Sequence, residues 1–370
     1  MLVTFPSMGT LGIVLGTLLK SFGLKVLPPP PVTKRTMEIG VIHAPETACL
    51  PLKITLGSFI EALEQGADTI VTCGGSGPCR LGYYAEVQKN ILRDLGYRPD
   101  FVIVEPGIGS VLKALRLLTP GRNWREIYQG FRLAGAKMTA LDTMERQACF
   151  VRPREKKLGS ADVVVQEAAV LVNQAAYPAE VAAALGYFRE KMLAVDVDCQ
   201  RQPLRVGVVG EIYVMLESFA NQDLLRHLGR MGVEVQPTLL LGDYVQTHIV
   251  KAGQARRINA VVESLATPYL GHYVGGHGLK SIGQTVRLAK AGYDGVIHVF
   301  PFTCMPEVIA QNILPQVSEA SGIPVLSLAF DEQTGLAGVV TRLEAFTDLL
   351  AYRRGRKARR ESGLLLAPGG

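Results

Sequence analysis

The cysteines of this chain follow none of the spacings that mark the common metal and redox motifs. No two of the six are arranged as Cys-x-x-Cys, which excludes a zinc ribbon, a ferredoxin run and a thioredoxin motif. Six cysteines in 370 residues are also too few for the disulfide framework of a small secreted protein. This cysteine usage is typical of the cytoplasm, and we expect a cytoplasmic protein.

Long apolar runs are scarce as well. Residues 8–19 are apolar, but glycines interrupt them, no basic region precedes them and no small-residue cleavage site follows, which argues against a signal peptide. No other stretch reaches the ~18 uninterrupted apolar residues that a membrane span needs. We therefore expect a soluble protein with no membrane partner.

Charged residues make up only 19% of the chain, and its net charge of +6 is concentrated near the end. Glu361 is the one acid in a segment whose cations are Arg353, Arg354, Arg356, Lys357, Arg359 and Arg360. The rest of the chain is close to neutral. We predict a basic, flexible tail over residues 353–370 and no nucleic-acid partner.

A Walker-type phosphate-binding loop is missing, so the sequence does not encode a recognisable ATPase. The glycine-rich segment between Cys73 and Cys79 has no lysine followed by serine or threonine, and it lacks the full Gly-x-Gly-x-x-Gly spacing. Backbone amides at such a turn can still stabilise cluster sulfides, phosphates or carboxylates. Gly77 and Arg80 are therefore candidates for cofactor binding, and an ordinary strand-to-helix turn is the alternative.

Short apolar runs alternate with helical patterns in both halves of the chain, as in βαβ units with parallel strands. Between the halves lie long alanine-rich helical patterns with almost no strand signal. We predict an α/β protein of two lobes and a helical connector. The predicted boundaries are 1–121 for the N-terminal lobe, 122–200 for the connector, 201–352 for the C-terminal lobe and 353–370 for the tail.

Three cysteines, Cys49, Cys79 and Cys304, share a local context, because each follows a strand-like or helix-approach run and has a proline nearby. Loops at the carboxyl ends of strands in an open α/β sheet converge on one crevice, so distant cysteines can meet there. Thiolates are the ligands of iron–sulfur clusters, and proline-braced loops hold them in fixed geometry. This context indicates a cluster rather than a disulfide. Cys149 and Cys199 lie in helical or linker surroundings and are interpreted as structural.

Several polar residues are candidates for a functional role, and each has a structural alternative. Glu211 follows a strand, where it is either a catalytic acid in the crevice or the cap of the next helix. His277 is either a proton donor or a histidine satisfied within its glycine-rich loop. Lys53 and Arg80 follow two of the cysteines, and they either offset cluster charge or are solvated at the surface. Glu307 is expected in the first turn of a helix.

Five segments together resemble the 2-hydroxyacyl-CoA dehydratase superfamily and are closest to its activase-related branch. They are Ala48-Cys-Leu-Pro-Leu-Lys53, Gly77-Pro-Cys-Arg-Leu-Gly-Tyr83, Val209-Gly-Glu-Ile-Tyr213, Gly275-Gly-His-Gly278 with Ser281-Ile-Gly283, and Pro301-Phe-Thr-Cys-Met-Pro-Glu307. The resemblance covers roughly residues 1–350. The Gly-Pro-Cys-Arg and Phe-Thr-Cys-Met-Pro-Glu segments together are fairly specific.

The resemblance implies two flavodoxin- or Rossmann-like lobes with an iron–sulfur cluster in the cleft between them. The ligands that it implies are Cys49, Cys79 and Cys304, with Cys73 as a fourth or substitute ligand. The implied cofactor is a 4Fe-4S cluster or, as in a related group of small-molecule reductases, an 8Fe-9S double cubane. The implied partners are an ATP-dependent activase that delivers a low-potential electron, and a second dehydratase-like subunit or a second copy of the chain. The implied chemistry is ketyl-radical dehydration of a 2-hydroxyacyl thioester or a related reduction.

A second class of function is consistent with the same residues. The chain would then be a non-catalytic α/β module that binds a small metabolite, with cysteines that are structural or bind zinc. Iron with acid-labile sulfide would favour the first class, and zinc or no metal would favour the second.

Overall fold

The computed structural model describes residues 1–75, 78–105, 108–119, 121–250 and 253–361. The N-terminal lobe alternates strands with helices. Its elements are β1 (Leu2–Thr4), α1 (Leu11–Ser21), β2 (Lys25–Val26), α2 (Lys34–His43), α3 (Leu50–Glu64), β3 (Thr69–Cys73), a 3₁₀ turn (Arg80–Tyr83), α4 (Tyr84–Asp94), β4 (Asp100–Val104) and α5 (Ile108–Leu118).

The connector consists of three helices that bury a hydrophobic core of their own. They are α6 (Trp124–Val151), α7 (Ser160–Gln174) and α8 (Pro178–Leu193). Leu141, Met144 and Phe188 are almost fully buried between them. Helix α6 is 28 residues long but carries charged side chains along its length. No helix in the described part of the chain is long and apolar enough to cross a membrane.

The C-terminal lobe repeats the alternation of the first. Its elements are β5 (Leu204–Gly210), α9 (Ile212–Leu216), α10 (Leu224–Arg230), β6 (Val233–Pro237), α11 (Leu241–Tyr244), a π-helical segment (Val245–Val250), α12 (Gly253–Ala266), α13 (Gly278–Lys290), β7 (Gly295–Pro301), α14 (Met305–Ser321), β8 (Val325–Phe330) and α15 (Leu336–Glu361).

The described strands form two four-stranded sheets with the same topology. The strand order is β2-β1-β3-β4 in one lobe and β6-β5-β7-β8 in the other, and every pairing is parallel. Strand β7 is buried throughout because its apolar residues meet helices on both faces, as expected for the centre of a parallel sheet. This is the flavodoxin-type order, in which ligands bind where the strand order reverses, beyond the carboxyl ends of the strands. The predicted fold class is confirmed.

The two lobes share a hydrophobic core and polar contacts. Leu50 and Ile54 of α3 pack into the same buried cluster as the strands β5 and β7. The backbone N–H of Gly9, before α1, donates to the carboxylate of Glu217, after α9, over 2.9 Å. These contacts fix the position of one lobe against the other and so define the cleft between their strand ends.

The basic segment near the end of the chain differs from its prediction. The last helix extends from Leu336 to Glu361, so the tail predicted to be flexible from residue 353 is helical up to Glu361. Arg354 contributes to this, because its guanidinium forms an ion pair with Asp294 at 2.6 Å and donates to the carbonyl of Pro203. Cations near a helix C-terminus also interact favourably with the helix dipole. The remaining residues of the predicted tail, 362–370, lie outside the described residues.

Candidate functional site

Each of the three proline-flanked cysteines lies immediately before a helix. Cys49 precedes α3, Cys79 precedes the 3₁₀ turn that leads into α4, and Cys304 precedes α14. None of the three sulfurs makes a capping hydrogen bond of ordinary geometry. The N-terminus of a helix nevertheless favours negative charge, which lowers the free energy of a thiolate there. The fold therefore places each sulfur where an anionic metal ligand is stabilised.

The three thiols gather around one carboxyl group, that of Glu211. Burial raises the pKa of all three thiols, and that of Cys49 to about 11. A negative charge on Glu211 also raises the pKa of each thiol. The charge of Cys79 raises the pKa of Cys49, and the charge of Cys49 raises that of Cys304. A direct contact agrees with this proximity, because the sulfur of Cys49 bonds to the hydroxyl of Tyr84, in the helix that follows Cys79. Without a metal the thiols are protonated near neutral pH, and metal binding must release protons.

A glycine turn of the C-terminal lobe connects two of the cysteine loops. Gly275 has a φ of +93°, a conformation that favours glycine. A Cβ atom at Gly275 would lie 3.0 Å from Cγ of Pro78, 3.2 Å from the backbone nitrogen of Cys79 and 3.5 Å from Cγ of Pro306. The loop before α4 and the first turn of α14 therefore meet at this glycine, although they belong to different lobes.

Glu211 follows β5 directly, as predicted, and it caps the next helix, whereas its role as a catalytic acid stays a prediction. Its carboxylate accepts a hydrogen bond from the N–H of Val214 at 3.1 Å and caps α9, while its own N–H donates to the carbonyl of Val299 at 3.0 Å. Burial raises its pKa to about 7, and the charge of Glu307 adds to this effect. A carboxyl group with this pKa can take up or release a proton at neutral pH beside the thiols.

Tyr84 is a site residue that the sequence reasoning missed. A hydrogen bond joins its hydroxyl to the sulfur of Cys49 in the buried wall of the cleft. Burial raises the pKa of Tyr84 well above its usual range, so the hydroxyl stays protonated and can donate to the sulfur. The preceding residue, Tyr83, is 72% exposed. The adjacent pair of tyrosines in the sequence gives no sign of which one faces the thiol.

A buried polar network lies behind Cys304. Glu307 is in the first turn of α14, as expected, and it accepts hydrogen bonds from the hydroxyl of Ser281 and from Nε2 of His298, each at 2.9 Å. The other ring nitrogen of His298 is 3.2 Å from the hydroxyl of Ser327. The second carboxylate oxygen of Glu307 is buried and has no hydrogen-bond partner among the described residues. His298 was not predicted, because it lies inside the apolar strand β7.

Lys53 and Arg80, predicted to offset cluster charge, have protein partners. Nζ of Lys53 is 2.7 Å from the carboxylate of Glu332, which forms an almost buried ion pair between the two lobes. Arg80 is exposed and donates to the carbonyl of Thr47 over 3.0 Å. These contacts account for both side chains structurally, and their role toward a cofactor stays a prediction.

Two further predicted site residues, Cys73 and His277, belong to the described part of the chain. Cys73 ends β3 and is exposed to solvent, yet protein atoms surround its thiol closely enough to raise its pKa, which fits a side chain in an open cleft. His277 is buried at the start of α13 and packs against the ring of Tyr244 at 6.0 Å. Gly77 lies outside the described residues.

The fold and the site define a two-lobed α/β protein with a cysteine-lined cleft. In the described part of the chain, no three His, Cys, Asp or Glu side chains converge as they would around a single metal ion. The ligands of an iron–sulfur cluster need not converge on one point, because each thiolate binds a different iron. No protein-family model matches the chain, and a search of the curated proteins found no match.

Proposed function

We propose that this chain is an iron–sulfur protein similar to the components of 2-hydroxyacyl-CoA dehydratases. In this proposal Cys49, Cys79 and Cys304 hold a 4Fe-4S cluster in the cleft between the lobes. An ATP-dependent activase delivers one low-potential electron, which serves the dehydration of a 2-hydroxyacyl thioester or a related reduction.

The observation that carries the proposal is the meeting of thiols from both lobes. Cys49 and Cys79 come from the first lobe and Cys304 from the second. The loop of Cys79 and the first turn after Cys304 meet at Gly275, and Tyr84, in the helix after Cys79, contacts the sulfur of Cys49. The carboxyl group of Glu211, buried beside these thiols, is costly to ionise unless a bound group compensates for the loss of hydration. A buried oxygen of Glu307 without a partner, one helical turn from Cys304, also fits a site that a bound group completes.

The number of thiols at the cleft favours the single cubane over the double cubane. Cys149 is buried in the connector, near Glu145 and Arg152, and Cys199 is exposed in the segment before β5. Neither is among the groups that influence the three cleft thiols. Cys73 is then the one further thiol at the cleft that is available as a ligand.

When bound, the cluster would supply a low-potential electron to a substrate in the cleft. The residues around the cluster would have different roles in binding and proton transfer. The hydroxyl of Tyr84 orients the sulfur of Cys49, and the amides at the helix starts stabilise the thiolates. Glu211, whose pKa is about 7, holds a proton that it can pass to a leaving hydroxide.

The experiment is metal analysis of full-length protein purified under argon. We expect about four irons with matching acid-labile sulfide per chain and a broad thiolate-to-iron charge-transfer absorption. Iron below one per chain after anaerobic reconstitution would contradict the proposal. Zinc, or no metal, would support the metabolite-binding alternative instead.

Two alanine variants test the ligand assignment, and they are matched because both replace a buried cysteine. Cys304→Ala should lose most of the iron, whereas Cys149→Ala should retain it. Far-UV circular dichroism must show that both variants are folded. Equal iron retention in the two variants would refute the assignment of Cys304.

A further inference from the structure

Three aromatic side chains form an exposed stripe on the first half of α6. Trp124, Tyr128 and Phe131 are 73%, 63% and 46% exposed. Their i, i+4, i+7 spacing places them one above the other on one flank of the helix. At roughly 150–250 Å² for each aromatic side chain, these fractions leave about 400 Å² of aromatic surface in water, a size at which exposed patches are often functional.

Packing holds this aromatic stripe at one edge of the N-terminal lobe. The ring of Phe131 packs edge-on against Phe22, with 5.9 Å between the ring centres, and Ile127 of the same helix lies in the core of the lobe. Phe22 follows α1, which runs back from the carboxyl end of β1 to the amino end of the parallel strand β2. The aromatic stripe therefore lies at the amino edge of the sheet, opposite the cysteine cleft, and a molecule bound there would not cover the cleft.

The charge around the aromatic stripe is positive. Glu126 is the only acid between residues 106 and 141, and its carboxylate pairs with Arg122 at 3.4 Å. In the part of the chain that the structure describes, neither Arg125 nor Arg132 forms an ion pair, and the guanidinium of Arg132 lies 6.0 Å from the ring centre of Tyr128. The exposed cations of the whole segment are Lys113, Arg116, Arg122, Arg125 and Arg132.

These residue types favour an acidic protein surface as the partner. Aromatic residues and arginine are enriched in protein interfaces, where lysine is depleted, and tryptophan, tyrosine and arginine dominate binding hot spots. Arginine also binds carboxylates through two parallel hydrogen bonds. A second copy of the chain is disfavoured, because a symmetric contact would bring the same positive patches face to face.

We propose that the aromatic stripe is the docking site for an acidic segment of a partner protein. Apolar side chains of that segment cover Trp124, Tyr128 and Phe131, and its carboxylates bind Arg125 and Arg132. An amphipathic helix that carries carboxylates beside aliphatic residues has this chemistry and can pack along α6. The site does not depend on the proposed cluster, because none of its residues is a predicted cluster ligand.

The chain contains a single tryptophan, Trp124, so its fluorescence reports on this site alone. The test is titration of full-length protein with a synthetic amphipathic peptide of about 20 residues, with leucine on one helical face and glutamate on the other. We expect saturable binding with one site per chain and a blue shift of the emission, because the indole ring is removed from water. A peptide with lysine in place of glutamate should bind about tenfold more weakly or worse, and salt should weaken the binding of the glutamate peptide.

Two pairs of variants test the assigned residues. Tyr128→Ala should weaken binding about tenfold, whereas Tyr177→Ala, 66% exposed in the same connector, should leave it unchanged. Arg125→Gln combined with Arg132→Gln should also weaken binding about tenfold, whereas Arg189→Gln, exposed on α8, should not. Far-UV circular dichroism must show that the variants are folded. The comparison of the two peptides on the unmodified protein decides independently of the variants.

The inference is overturned if the glutamate peptide does not bind at concentrations up to about 1 mM, if the lysine peptide binds equally well, or if the variants and their controls bind equally. Vesicles that contain phosphatidylserine and an oligothymidylate are titrated in the same way. Tighter binding of either would replace the acidic protein by a lipid or a nucleic-acid surface. A shift of the Trp124 emission on dilution of the protein alone would show that a second copy covers the aromatic stripe instead.

Discussion

The ion pair between Lys53 and Glu332 should hold the two lobes together, and its contribution can be worked out from the structure. Nζ and Oε1 are 2.7 Å apart, and the side chains are 5% and 23% exposed. At an effective dielectric constant of about 20, the Coulomb energy of this pair is about 6 kcal/mol. Desolvation of the nearly buried ammonium offsets several kcal/mol of that. We therefore expect a net coupling energy of about 2 kcal/mol.

A double-mutant cycle measures this coupling. Lys53→Met, Glu332→Gln and the double variant are unfolded in urea, which does not screen charges as guanidinium does, and unfolding is followed by far-UV circular dichroism. Each single variant should lose about 2–3 kcal/mol of the free energy of unfolding, and the double variant should lose less than the sum of the two. Because the lobes share a hydrophobic core, they should unfold together.

A coupling energy below about 0.5 kcal/mol would refute the ion pair as an interlobe contact. The same variants separate the structural role of Lys53 from the predicted cofactor role. If folded Lys53→Met lost iron while Glu332→Gln retained it, Lys53 would act on the cofactor as well.

Three further predictions concern the cleft. Burial raises the pKa of Glu211 from 4.5 to about 7, so metal-free protein should lose up to about 3 kcal/mol of its free energy of unfolding as the pH rises from 4.5 to 7. This contribution of Glu211 to the free energy of unfolding is fully present below pH 4.5. In Glu211→Gln the free energy of unfolding should depend less steeply on pH. Tyr84→Phe should raise the pKa of Cys49, because the hydrogen bond from Tyr84 lowers that pKa. Iodoacetamide should then alkylate Cys49 more slowly, and an unchanged rate would contradict the prediction. Gly275→Ala should cost about 1–3 kcal/mol and reduce iron retention, whereas Gly292→Ala, also at positive φ but with nothing within 4 Å, should cost less and retain iron.

Local patterns in the sequence predicted most of the fold. The alternation of short apolar runs with helical patterns predicted two α/β lobes, and apolar runs form the strands β5 and β7. Helix α2 was missed, because its residues show only a weak amphipathic pattern. The structure shows that its first turn is capped by Thr33 and Thr36, which hydrogen-bond reciprocally.

The candidate site was only partly predictable, for a physical reason. Parallel strands place their carboxyl ends at one edge, so a common location for Cys79, Glu211 and Cys304 followed from their positions after strands. The partners Tyr84 and Glu332 depend on how the lobes pack, which local spacing does not encode. The ion pair of Lys53 with Glu332 could therefore be found only with the structure.

The hydrophobic core that the lobes share limits how the protein can move. Separation of the lobes would expose Leu50 and Ile54 to water, and the binding of another molecule would have to offset the free energy lost. A small molecule would therefore reach the cleft past the exposed residues Cys73 and Tyr273 rather than by separation of the lobes. A partner that delivers electrons to the proposed cluster would dock over these two residues and leave the packing between the lobes undisturbed.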